Sequence, residues 1–114
     1  MANKEISKET QEKLMQLQNI QRQLQMIVQQ RQQFEYSKMS SEQALKEIDG
    51  AEGQIFKSVG PILIETKPDA IKSDLEKSIK QIEERVEVLK KQEERLVGKG
   101  KELEAEVSKE FEQK

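Results

Sequence analysis

The chain has 114 residues, 20 of them Lys or Arg and 22 Asp or Glu, for a formal net charge of −2. Hydrophobic residues make up 33% and charged ones 37%, short of the roughly 45–50% apolar content that fills an ordinary compact core. With no Cys and no His, a disulfide framework, a zinc site of the usual kind, a thiol nucleophile and an imidazole base are all excluded. The near-balance of charge argues against a dedicated nucleic-acid binder, which would carry a basic face. Ile62-Leu63-Ile64 is the longest aliphatic run, far below the roughly 20 residues that span a bilayer. Met1-Ala2-Asn3-Lys4-Glu5 is polar, with no apolar signal region behind it. A soluble, cytosolic protein is expected.

From about Ser7 to Glu47 strong helix formers dominate, without Gly or Pro. A 3-4 spacing runs through Leu17, Ile20, Leu24, Ile27, Arg31, Phe34, Lys38, Ser41, Leu45 and Ile48. Asp49-Gly50-Ala51-Glu52-Gly53 then breaks the pattern, with Gly where a helix stops. Residues 54–66 are enriched in β-branched types and divided by Gly60-Pro61, which reads as two short strands and a turn. Pro61 lacks a backbone donor and belongs at the turn, and Pro68 opens the next helix, where that donor is not needed.

The second helical arm is the more regular. Leu75, Ile82, Leu89, Leu96 and Leu103 recur every seven residues, interleaved with Ile79, Val86, Glu93, Gly100 and Val107. Such a heptad stripe must meet another helix. The connector is short, so the partner is the first arm folded back antiparallel. Facing residue numbers then sum to about 120, setting Leu45 against Leu75, Phe34 against Val86, Leu24 against Leu96 and Leu17 against Leu103. Arg31 and Glu93 are the polar exceptions. They fall about one turn apart across the seam and are expected to approach each other and fix the register.

The bend is harder to satisfy. Ile55, Phe56, Val59, Ile62, Leu63 and Ile64 are large and apolar, and consecutive apolar residues on a strand point to both faces. One narrow coiled coil covers at most one face, and a lone hairpin is marginal in water. Burial is worth about 1.5–3 kcal/mol per large side chain, which a single chain would largely forgo. Unpaired strand edges add to the incentive. The expected fold class is therefore mainly α: a long antiparallel two-helix coiled coil with a central β-hairpin that assembles into an oligomeric β-barrel platform.

Two heptad helices flanking Phe56-Lys57-x-x-Gly60-Pro61-x-Leu63-Ile64 resemble the β-type subunit of prefoldin, a hexameric chaperone. The Gln-rich first helix, from Gln16-Leu17-Gln18 through Gln32-Gln33-Phe34, and Lys91-Gln92-Glu93-Glu94-Arg95-Leu96 agree with this. The likeness covers nearly the whole chain, and one hairpin in place of two matches the β-type. It implies a single domain over 1–114, with a first coiled-coil helix over about 5–49, a hairpin over 54–66 and a second helix over 68–112. It further implies a hexamer of two α-type and four β-type chains, joined through Ile55, Phe56, Val59, Gly60, Pro61, Ile62, Leu63 and Ile64. Unfolded clients would be held at coiled-coil tips comprising Ile6, Leu14, Met15, Val107 and Phe111, then passed to a group II chaperonin in the cytosol without ATP. Gly98 and Gly100 depart from a rigid helix, each costing about 1 kcal/mol relative to Ala.

The tips have a physical rationale of their own. Ile6 faces only Lys114 in the expected register, and Phe111 faces the polar stretch Lys8–Thr10. Apolar groups at a frayed end accept another chain's apolar groups. Several tips on one platform act together, and Met15 is adaptable. Leu14 and Val107 also serve to complete the seam. Glu83-Glu84 and Glu93-Glu94 read as solvated helix charges. Gly98-Lys99-Gly100-Lys101 lacks the spacing of a phosphate loop. No catalytic set, cofactor site or metal site can be assembled, and no nucleic acid or membrane partner is implied. The competing function is a structural coiled-coil adaptor that joins specific folded partners.

Overall fold

The computed structural model describes residues 6–51 and 53–112. The element order is α1 (Lys8–Asp49), β1 (Ile55–Val59), β2 (Ile62–Thr66) and α2 (Pro68–Glu112). Two compact units emerge: Met1–Arg31 with Val88–Lys114, and Gln32–Glu87. The sequence boundary for α1 at about residue 5 falls outside the described residues. Ile6 and Ser7 precede the helix, which opens at Lys8.

The start of α1 has a local cause. Ser7 occupies the N-cap: its Oγ accepts from the Thr10 amide at 3.1 Å, and its carbonyl accepts from Gln11 at 3.0 Å. The first bond satisfies one of the otherwise unpaired first-turn amides, and the second is the first regular bond of the helix. α2 opens differently. Pro68 is its first residue, where the missing N–H costs nothing, and the Lys67 carbonyl accepts from Ala70 and Ile71. Asp69 in that turn complements the helix dipole.

In the first unit, α1 and α2 run antiparallel and bury a seam centred on Ile20, Leu96 and Leu103, against which Leu17, Leu24 and Ile27 pack. A Cβ added at Gly100 would lie 3.7 Å from Ile20 Cγ2, so the helices meet there in the register expected from the heptads. Both Gly98 and Gly100 are helical; α2 continues through them unbroken. Arg31 Nε donates to Glu93 Oε2 at 3.1 Å, with Nη2 at 3.5 Å from Oε1. The polar exceptions of the seam do meet. On the flank, Lys13 reaches Glu106 at 3.3 Å.

In the second unit the helices are again antiparallel. Val86 is buried, Phe34, Leu45, Leu75, Ile79 and Ile82 are half-buried, and the Arg85 guanidinium lies 5.8 Å from the Phe34 ring centroid. That distance is within cation–π range. Lys38 bridges Glu83 across the helices at 3.5 Å. Lys72 pairs with Asp49 at the end of α1, and that hydrogen bond and charge hold its ammonium above the ordinary lysine value. α1 does not stop through a left-handed Gly50. The Ala51 amide bonds back to the Ile48 carbonyl at 3.1 Å, a tight final turn, and the positive φ (94°) falls on Gly53 instead.

Candidate functional site

Five antiparallel pairs build the hairpin: Ile55 with Thr66, Phe56 with Glu65, Lys57 with Ile64, Ser58 with Leu63, and Val59 with Ile62. Only Gly60 and Pro61 lie between the strands. Gly60 has φ 59°, and the proline ring fixes the next φ near −65°. Gly in the left-handed region at the first central position, followed by a negative φ, is the type II′ pattern that matches strand twist. A side chain at Gly60 would meet no steric neighbour within 4 Å; the demand for glycine is purely conformational.

Alternation along this register sorts the side chains onto two faces. Ile55, Lys57, Val59, Ile62, Ile64 and Thr66 share one face, and Phe56, Ser58, Leu63 and Glu65 share the other. Lys57 reaches Asp74 of α2 at 3.9 Å, which turns the first face toward that helix. Even so, Val59, Ile62 and Ile64 remain exposed on it, and Leu63 on the other face is 69% exposed, with Phe56 exposed beside it. Ile55 alone of the apolar set is half-buried. The sheet has two strands among the described residues, so each strand keeps an edge that the chain itself does not pair. Apolar groups on both faces, with open edges, make a surface suited to other chains.

The second candidate region lies in the first unit, where α1 begins and α2 ends. The Ser7 hydroxyl donates to the Glu110 carboxylate and also lies 3.0 Å from Thr10 Oγ1. Thr10 is fully buried, its only described polar partner the Ser7 hydroxyl and its amide held by the same cap. This small polar clasp ties the first turn of α1 to the last turns of α2. Beside it, Ile6 is 38% and Phe111 46% exposed, and Met15 is exposed on the outer side of α1. Val107 is 8% exposed and Leu14 half-buried, so in this chain both complete the seam. The pairing of Ile6 with Lys114 falls outside the described residues.

Several features escaped the sequence reading. The cap at Ser7 was legible in Ser-x-x-Thr ahead of the helix, a hydroxyl placed to accept from the third following amide. The flank pairs Lys13–Glu106 and Lys38–Glu83 follow from the antiparallel register once it is applied beyond the seam. Tyr36, Met26, Met39 and Val88 are large and exposed, and their heptad positions already point away from the seam. Among the described residues, no cluster of three or more acidic groups could hold a metal, and no helix is long and apolar enough to cross a membrane.

Comparison with known proteins bears on both regions. The family described as prefoldin subunit matches residues 11–114. Prefoldin subunit beta of Archaeoglobus fulgidus is 34% identical over 94 residues, covering 81% of each chain. That of Thermococcus kodakarensis is 33% identical over 104 residues, covering 90% of this chain and 89% of its own. The crystal structure of the prefoldin beta subunit from Thermococcus strain KS-1 superposes with a TM-score of 0.86 at 33% identity, over 92% of this chain and 94% of that one. With this agreement of sequence, helix pairing and a single central hairpin, the chain belongs to the prefoldin subunit family, on its β-type side.

Proposed function

We propose that this chain is one subunit of a hetero-oligomeric holding chaperone, joined to α-type subunits and further β-type copies in a hexamer of two α-type and four β-type chains. Ile55, Phe56, Val59, Gly60, Pro61, Ile62, Leu63 and Ile64 contribute the joint. Ile6, Met15 and Phe111 grip non-native clients, with Leu14 and Val107 closing the seam beneath them, and the clients pass to a group II chaperonin in the cytosol without nucleotide hydrolysis. Membership of a chaperone family supports the general role. The observation that carries the joint is the exposure of apolar side chains on both faces of the hairpin.

Client gripping draws on a different observation. Ile6 and Phe111 flank the bonded pair Ser7 and Glu110 and stay exposed there. Each such contact is weak, but several subunits raised on one platform multiply it. Removing residues 1–15 and 104–114 tests this in the assembled complex. Suppression of client aggregation should be lost while the oligomer persists; full activity after truncation contradicts the assignment. A structural adaptor for folded partners would share the joint but would leave a denatured client free to aggregate, so light scattering separates the two roles.

A further inference from the structure

Beyond Leu24 and Leu96 the seam of the first unit changes character. With facing residue numbers summing to about 120, its outer layers are Ile20 with Gly100, Leu17 with Leu103, Lys13 with Val107 and Thr10 with Glu110. Only Leu17 with Leu103 pairs two large apolar side chains. At Gly100 the layer lacks a side chain from α2. A cleft of about 190 Å³ lies there, lined by Leu17, Ile20, Leu24, Leu96 and Val97 together with three polar side chains and Gly100 itself. Gly98 meets nothing within 4 Å on its Cβ side. α2 stays helical through both glycines, but each weakens a helix about fivefold relative to Ala.

Polar groups close the far end of this thinned seam. Ser7 Oγ accepts from the Thr10 amide, lies 3.0 Å from Thr10 Oγ1 and donates to the Glu110 carboxylate. One hydroxyl therefore caps α1 and holds the last turns of α2. Behind it Thr10, Leu103 and Val107 are buried, while Ser7 itself is exposed to solvent. The helical stretches outside Gly100 are short, residues 8–17 on α1 and 101–112 on α2. Isolated helices of that length are marginal in water. Once parted, the two stretches lose helix as well as contact, so docking and helix formation are one event.

We infer that residues 8–17 and 101–112 open and close as a single unit, hinged at Gly98 and Gly100 and latched by Ser7 on Glu110. Closed, the latch keeps Leu103 and Val107 covered; open, it releases them with Leu17 as apolar surface. The latch stands on the geometry of the seam. Its control over client gripping rests on the holding-chaperone reading, and there the grip scales with the open fraction.

Hydrogen exchange of the complete complex with its α-type partner, followed by mass spectrometry, reads the unit directly. Peptides from 8–17 and 101–112 should share one protection, below that of 24–31 and 89–96. Ser7→Ala should speed exchange in both stretches about fivefold, the usual loss of a cap, and Ser7→Thr, which keeps the hydroxyl, should restore it. Gly98→Ala with Gly100→Ala should slow both at least tenfold. Thermal melting and sedimentation verify that each variant folds and assembles. A Ser7→Ala effect confined to 8–17 reduces the hydroxyl to an ordinary cap and overturns the inference. So does protection that declines residue by residue toward each end. With guanidinium-unfolded citrate synthase as client, the Ser7→Ala complex should half-suppress aggregation at about fivefold lower concentration. An unchanged requirement despite faster exchange overturns the gate. Failure of the wild-type complex to suppress aggregation counts against the holding-chaperone reading alone, since exchange still decides the latch.

Discussion

Leu96 and Leu63 are the same residue type with opposite environments. Leu96 lies on the seam of the first unit and is 9% exposed; Leu63 lies on the hairpin and is 69% exposed. Around Leu96 the heptad supplies a partner for each apolar group, with Ile20 buried and Leu17, Leu24 and Ile27 packed alongside. Around Leu63 alternation sends apolar groups both ways, and the chain has one helical surface at most to set against them. Periodicity therefore decides whether an apolar residue stabilises the fold or recruits another chain. The seam is self-sufficient; the hairpin is not.

The comparison breaks most visibly at the hairpin. Replacing Ile62, Leu63 and Ile64 with Ser removes apolar groups worth about 1.5–3 kcal/mol each on burial, in every copy that contributes them. The mixed complex should disappear from size-exclusion chromatography while far-UV dichroism retains its helical signal. Loss of helix along with assembly would mean that the hairpin belongs to the chain's own core.

Substitution in the seam should do the reverse. Leu96→Ala is expected to lower stability by about 2–3 kcal/mol, toward the small end for a buried leucine because a two-helix seam relaxes readily. The readout is a shifted denaturation midpoint with the complex mass unchanged at low temperature. A change of mass with no shift in midpoint would erase the distinction between the two regions.

Two smaller effects sharpen it. Gly60→Ala forces a side chain into the left-handed turn and should cost about 1–2 kcal/mol, weakening assembly more than helix melting. Gly98→Ala should stabilise α2 by about 1 kcal/mol, since a methyl there meets nothing within 4 Å. Smaller still is the coupling of Arg31 and Glu93. Both side chains are about one quarter exposed, so a double-mutant cycle should give less than about 1 kcal/mol, decreasing with salt.

Much of this arrangement was legible in the residues. The heptads set the antiparallel register: Gly100 faces Ile20 where it requires, and Arg31 and Glu93, about one turn apart in it, reach each other as expected. Gly60-Pro61 between β-branched runs located the turn because few residues tolerate its first central φ. The end of α1 was less legible. A glycine after a helix has more than one way to close it, and Gly50 leaves the left-handed role to Gly53. Nor does sequence alone say that Thr10 is buried while Phe111 is exposed, since they sit in the first turn of α1 and the last turn of α2, where a neighbouring side chain and not the repeat decides cover. The hairpin's open faces were expected from consecutive apolar residues, but Lys57 reaching Asp74, which orients one face, required coordinates.

Sedimentation equilibrium of the unmodified chain at micromolar concentration probes the dependence of the hairpin on other chains most directly. The account predicts a mass of several times the 13.3 kDa chain, rising further when an α-type partner is added. A single 13.3 kDa species, unchanged by the partner and with full helix content, would contradict it.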